Sequence, residues 1–125
     1  MQNNRENSKK DLKERTYKYV LKIIEIINKL PNDITSQIIA KQLIRSATSI
    51  GANIIEAQSS SSKREFTKFF SYSLKSANES KYWLELLKDS KKVNGELIEP
   101  LLQETVEIGN ILGSSILTLK GKKTF

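Results

Sequence analysis

Leu12, Thr16, Val20, Ile23, Ile27 and Leu30 recur at intervals of 4, 4, 3, 4 and 3. That rhythm puts one apolar stripe on a helix from about Lys9 to Lys29. Leu30-Pro31-Asn32-Asp33 ends it, because proline disfavours a helical residue before it, and Asn or Asp can cap the helix that follows. The second helix is expected from about Ile34 to Gln58. Ile39, Leu43, Ala47, Ile50, Ile54 and Ala57 line its centre, and Ala40, Ile44 and Ile55 widen the apolar arc on one flank. Gln42, Ser46, Ser49, Asn53 and Glu56 occupy the other flank. Gly51 costs about 1 kcal/mol relative to Ala inside a helix, so a close backbone approach is expected there.

Ser59–Ser62 reads as a loop ending in a helix cap. Ser62-Lys63-Arg64-Glu65 fits a capping box, in which hydroxyl and carboxylate satisfy opposing backbone N–H groups. The run lacks the glycine spacing and the Gly-Lys-Ser/Thr ending of a phosphate-cradling loop. Phe66, Phe70, Ser73, Ala77, Ser80, Leu84 and Leu87 then follow intervals of 4, 3, 4, 3, 4 and 3, the most regular stripe in the chain. Small residues in its middle allow a neighbouring helix to come close. Phe69, Tyr72, Tyr82 and Trp83 extend onto adjacent faces. Beside Lys68, Lys75 and Lys81 they could stack bases, although aromatics at helical spacing more often serve a core or an interface. Asn94-Gly95 is read as the turn after this helix. The fourth helix is expected from about Glu96 to Lys120, through Leu97, Leu101, Ile108, Leu112, Ser115 and Leu119. Pro100 lies near its start, and Gly109 and Gly113 read as tight helix packing.

Helices of about 20–28 residues joined by short loops must run antiparallel to their sequential neighbours. The expected fold is all-α, an antiparallel up-down-up-down four-helix bundle. Its 125 residues form a single domain, 1–125, with 1–8 and 121–125 expected to be flexible.

Composition then removes most chemistry. The chain has no His and no Cys. That excludes thiol nucleophiles, disulfides, Cys/His zinc sites and His-based acid–base catalysis. Glu56, Glu65 and Glu79 have no His to form the Glu-x-x-His pairs of a di-iron bundle. No catalytic residue, metal or cofactor is therefore expected. No stretch approaches the roughly 18 apolar residues of a membrane span. The first residues lack the apolar core of a secretory signal, so a cytoplasmic location is expected.

Net charge is +7, which makes nucleic acid a candidate partner and a lysine-rich solubilising surface the plain alternative. The charge is uneven. Residues 1–22 and 63–92 each carry a net +4, residues 23–62 are neutral, and residues 93–119 hold four acids and no base. Lys10, Lys13, Lys18 and Lys22 on the first helix, with Lys63, Arg64, Lys68 and Lys75 on the third, are the candidate nucleic-acid contacts.

Arg45, Ser49, Asn53 and Glu56 share one face of the second helix at intervals of 4, 4 and 3. Such a set could bind a polar ligand, or satisfy its own hydrogen bonds and fix helix register. At these residues the chain resembles a known family. Residues 42–56, from Gln42-Leu43-Ile44-Arg45 to Asn53-Ile54-Ile55-Glu56, look like the signature of the four-helix bundle proteins encoded in 23S ribosomal RNA intervening sequences. Ser62-Lys63-Arg64-Glu65-Phe66, then Ser76-Ala77-Asn78-Glu79 and Tyr82-Trp83-Leu84, resemble the family's third-helix pattern. The likeness covers about residues 12–120. Ala57 stands where the family usually has Gly, and the first helix lacks the family's common Trp.

The resemblance implies a small bacterial, non-enzymatic protein that assembles as a homopentamer. It also implies kinship with the accessory variability protein of diversity-generating retroelements, which binds reverse transcriptase and RNA. Under it, Arg45, Ser49, Asn53, Glu56, Glu65, Phe66 and Glu79 are fold and assembly determinants. The leading expectation is an oligomeric basic scaffold contacting RNA or a nucleic-acid-processing partner. The alternative is a protein–protein assembly module or reverse-transcriptase accessory with no nucleic-acid role of its own.

Overall fold

The computed structural model describes residues 4–121, with side chains from Leu12 onward. Four helices follow one another: α1 (Asn4–Asn28), α2 (Ile34–Gln58), α3 (Lys63–Asp89) and α4 (Gly95–Leu119). The packed pairs are α1–α2, α2–α3, α3–α4 and α4–α1. That cyclic set closes an antiparallel bundle, with α1 diagonal to α3 and α2 diagonal to α4. Expectations for 1–3 and 122–125 fall outside the described residues, as does the side chain of Lys10.

Local chemistry sets the helix ends. Asp33 Oδ1 accepts from Ser36 N at 2.8 Å and caps α2. Ser62 Oγ accepts from Glu65 N at 3.1 Å, while Glu65 Oε1 accepts from Ser61 N at 3.3 Å. This is the expected capping box, with the carboxylate reaching one residue further back. The turn after α3 lies earlier than expected. Lys91 adopts a left-handed φ of 58°. Lys91 N donates to Lys88 O and Lys92 N to Leu87 O, both at 3.1 Å. This double hydrogen bond closes the helix end with a lysine where glycine is usual. Asn94 instead caps α4, accepting from Glu96 N at 2.9 Å, and Gly95 is already helical.

The expected α2 and α3 stripes are buried almost residue for residue. Phe66 at the start of α3 is the half-buried member, its ring 4.6 Å from that of Phe70. Gly51 makes the close approach its cost implied. A Cβ there would lie 3.2 Å from Thr16 Oγ1, so α1 crosses α2 where a side chain is missing.

Three further expectations are corrected. On α1 the deepest residues are Leu12, Thr16, Tyr19, Ile23 and Ile26, while Val20, Ile27 and Leu30 are half-buried around them. On α4 the buried residues are Ile98, Leu101, Thr105, Ile108, Leu112 and Ile116, and Leu97 is exposed. Buried hydroxyls account for both shifts. Tyr19 OH and Thr105 Oγ1 are hydrogen-bonded at 2.6 Å, and Thr105 also donates to Leu101 O at 2.6 Å. These polar groups belong to the core but are easily read as surface positions. The third correction concerns Gly113. A Cβ there would meet nothing within 4 Å, and one on Gly109 only ordinary contact with Leu74 at 3.8 Å. The glycine pair makes no tight packing within the chain.

Candidate nucleic-acid interface

The α2–α3 seam joins two of the signature residues, Arg45 and Glu79. Small side chains bring the two helices together. Ser46 Oγ and Ser80 Oγ are hydrogen-bonded at 2.9 Å, and Ser73 Oγ donates to Ile50 O at 2.8 Å. Each hydroxyl is buried and satisfied, which avoids the cost of an orphaned polar group. On the outer side of the seam Arg45 reaches from α2 to form an ion pair with Glu79 on α3. Glu79 also accepts from Trp83 Nε1 at 3.0 Å, and Gln42 Oε1 accepts from Arg45 Nη2 at 3.1 Å. The four groups tie α2 to α3 across 34 residues of sequence.

The remaining signature residues do not join that cluster. Ser49 Oγ donates to Arg45 O at 2.8 Å and Asn53 Nδ2 to Ser49 O at 2.8 Å, both along their own helix. Glu56 is exposed at the end of α2. The four do not converge on a pocket. Arg45 bonds across to α3 while Ser49 and Asn53 bond within α2, and the set offers no reactive pair.

The candidate cations fall into separate groups. Lys13, Lys18 and Lys22 are exposed on α1, and Lys18 pairs with Glu14 at 3.5 Å. Lys63, Arg64, Lys68 and Lys75 are exposed on the diagonal helix, α3. Lys68 Nζ lies 5.0 Å from the centroid of the Phe69 ring. The two sets stand on helices at opposite corners of the bundle. Phe69 and Trp83 are half-buried against the core, whereas Tyr72 and Tyr82 are exposed.

Between α1 and α4 runs a groove of about 460 Å³. Arg15, Lys22, Lys29 and Glu104 are on its rim, with Ile26 and Leu101 below them. Arg15 grips Glu104 with two hydrogen bonds of 2.6 and 2.8 Å and approaches Glu107 at 3.4 Å. Tyr19 also lines this groove, and burial pushes its hydroxyl up to about 12, so it stays neutral. Elsewhere, backbone and side-chain hydrogen bonds at Ser36, with Lys92 nearby, lower the Asp33 carboxyl below its ordinary value. Glu99 raises the Lys88 ammonium. No group of acidic or metal-ligating side chains suited to a metal occurs among the described residues. No described helix is long and apolar enough to cross a membrane.

The Tyr19–Thr105 contact escaped the sequence reading, although a signal for it exists. Leu12, Thr16, Tyr19, Ile23, Ile26 and Leu30 follow intervals of 4, 3, 4, 3 and 4, as regular as the stripe through Val20 and Ile27. Periodicity alone allowed both registers.

The profile of the family described as 23S rRNA-intervening sequence protein matches residues 8–114. Among solved structures, the chain is similar to a Bacteroides thetaiotaomicron protein of unknown function from the S23 ribosomal protein family. Identity is 34%, the TM-score is 0.80, and the match covers 86% of this chain and 96% of that one. No curated protein sequence matches. The chain belongs to the 23S rRNA-intervening sequence protein family.

Proposed function

Proceeding from membership of that family, we propose that the protein is a non-enzymatic, oligomeric basic scaffold that contacts RNA in the cytoplasm. The family's description ties its members to ribosomal RNA. The observation that carries the reading is a set of exposed cations with no acidic partner among the described residues: Lys13, Lys22, Lys63, Arg64 and Lys75. Phosphate is a group such exposed cations fit. Gel shifts with structured RNA across a salt series test the reading. Binding should weaken steeply as salt rises, and an absence of binding at the lowest salt would overturn it.

Assembly is part of the same proposal. Tyr17, Leu21 and Ile24 form an exposed apolar strip on α1 at intervals of 4 and 3, with Ile55 exposed on α2. A second copy covering such a strip removes apolar surface from water. Five subunits is the number the family resemblance implies. Light scattering after nuclease treatment should give a mass several times 14.2 kDa. A mass of one chain at every concentration would end the oligomer proposal. The same strip favours a second reading, an assembly module or reverse-transcriptase accessory that binds another protein. Capture of one protein partner that survives nuclease, with no RNA binding by the purified chain, would select it.

A further inference from the structure

Exposed cations alone do not say what form of RNA the surface takes, and the exposed aromatic rings bear on that question. Among the described residues these are Tyr17, Tyr72 and Tyr82, at 69%, 44% and 57% exposure. Tyr72 and Tyr82 share the outward face of α3 with Lys68 and Lys75, because positions 68, 72, 75 and 82 follow intervals of 4, 3 and 7. On α1 the ring and the cations part company. Lys22 and Lys29 line the α1–α4 groove, which Tyr17 does not. Tyr17 continues instead into the exposed Leu21 and Ile24, and one turn before it Lys13 is next to Glu14.

The two α3 rings are braced from within. Phe69 and Trp83 are half-buried against the core. The Tyr72 ring stands edge-on to Phe69, with centroids 6.1 Å apart, and the Tyr82 ring edge-on to Trp83 at 4.9 Å. Trp83 is itself fixed by its hydrogen bond to Glu79. Edge-to-face contact restrains each phenol while leaving much of it in water. Charge on this face is unopposed. Between Phe66 and Leu84 the one acid is Glu79, and Arg45 on α2 pairs with it. Lys68, Lys75 and Lys81 are exposed and have no ion pair among the described residues. The two tyrosines are about 15 Å apart along the helix axis, with Lys75 between them.

We infer that the outer face of α3 binds single-stranded RNA, its bases stacking on Tyr72 and Tyr82 and its phosphates meeting Lys68 and Lys75. The inference rests on the RNA-contact reading and narrows it. In a duplex the bases are stacked on one another, whereas single strands and loops can splay bases onto aromatic rings. Cations without rings would take either form, since phosphate is common to both. Rings set between cations favour the single strand.

The test is fluorescence anisotropy with two labelled probes, an unstructured single-stranded RNA and a blunt RNA duplex of the same length. The wild type should bind the single strand about tenfold more tightly than the duplex. The double variant Tyr72→Ala, Tyr82→Ala should lose about tenfold or more on the single strand at an unchanged salt slope, because no charge is removed. Tyr72→Phe, Tyr82→Phe keeps both rings and should stay within about twofold. Lys68→Gln, Lys75→Gln should flatten the salt slope by about 1–2, and Lys29→Gln, Lys41→Gln, two exposed positions away from this face, should leave it as it was. Circular dichroism reports folding, and Tyr72→Leu, Tyr82→Leu, which keeps apolar cover over Phe69 and Trp83, replaces the alanine pair if that unfolds. Duplex bound as tightly as single strand, an alanine pair that binds like the wild type, or a larger slope change at Lys29 and Lys41 would overturn stacking on α3 and leave the RNA reading intact. A wild-type protein that binds neither probe nor structured RNA at low salt would remove both.

Discussion

The α2–α3 seam and the attachment of α1 are built on different principles. At the seam small side chains let two helices close up, and short hydroxyl contacts, Ser46–Ser80 and Ser73 to Ile50 O, fix their register. On its α4 side, helix α1 is held by large groups instead. Tyr19 spans to Thr105, Arg15 grips Glu104, and a groove remains between α1 and α4. Close packing of small residues leaves little room to slide, whereas a helix held by a few long side chains depends on each of them. α1 is therefore the element a single substitution should loosen, and α2–α3 the element that only overpacking should disturb.

The largest test of that contrast is Tyr19→Ala. Tyr19 is almost fully buried, so its loss should cost about 3–5 kcal/mol. Hydrogen exchange should show α1 opening before α2 and α3. Uniform loss of protection across the four helices would erase the difference between the regions.

Alkaline pH probes the same residue. Burial raises the Tyr19 hydroxyl from 10.0 to about 12. A group whose native value is raised contributes stability that is complete below its unfolded value and is lost as pH rises through the native one. Stability from Tyr19 should thus be intact below pH 10.0 and vanish between there and about pH 12. Its size is about 2–3 kcal/mol. Urea melts of wild type and Tyr19→Phe over that range should converge as pH rises. Parallel curves would show that the hydroxyl is not shielded.

Ser73→Leu addresses the seam. Its site is fully buried against α2, and a larger side chain should cost about 1–3 kcal/mol by forcing the helices apart. A thermal midpoint equal to the wild type would mean the seam has slack.

Arg45→Ala should have the smallest effect, about 1 kcal/mol or less, because the ion pair with Glu79 is exposed and screened by solvent. Tryptophan fluorescence is the more sensitive readout, since Glu79 also accepts from the Trp83 indole. An unchanged spectrum together with unchanged stability would leave the cluster no part in register.

Much of this was legible along the chain. The α2 stripe, its limits at Ile34 and Gln58, and the α3 stripe from Phe70 to Leu87 are as the pattern predicts. Those segments carry unambiguous apolar or small residues at every inward position, so one register stands out. α1 and α4 offered two. Leu97 and Ile98 are both apolar, as are Val20 and Ile26, and the residues that decide between registers, Tyr19 and Thr105, carry hydroxyls. A hydroxyl is an acceptable core group only when a partner across the bundle satisfies it, and that partner lies 86 positions away.

The site divides along the same line. Residue order determined the helix periods, the caps at Asp33 and Ser62, the lack of His and Cys chemistry and the positive net charge, because each depends on neighbours within a turn or on composition alone. Only the tertiary structure decided that Arg45 meets Glu79 and that the two lysine-bearing helices stand diagonally. Those are consequences of how four rods are threaded. Threading sets distances between residues far apart in the chain, and local propensity carries no information about them.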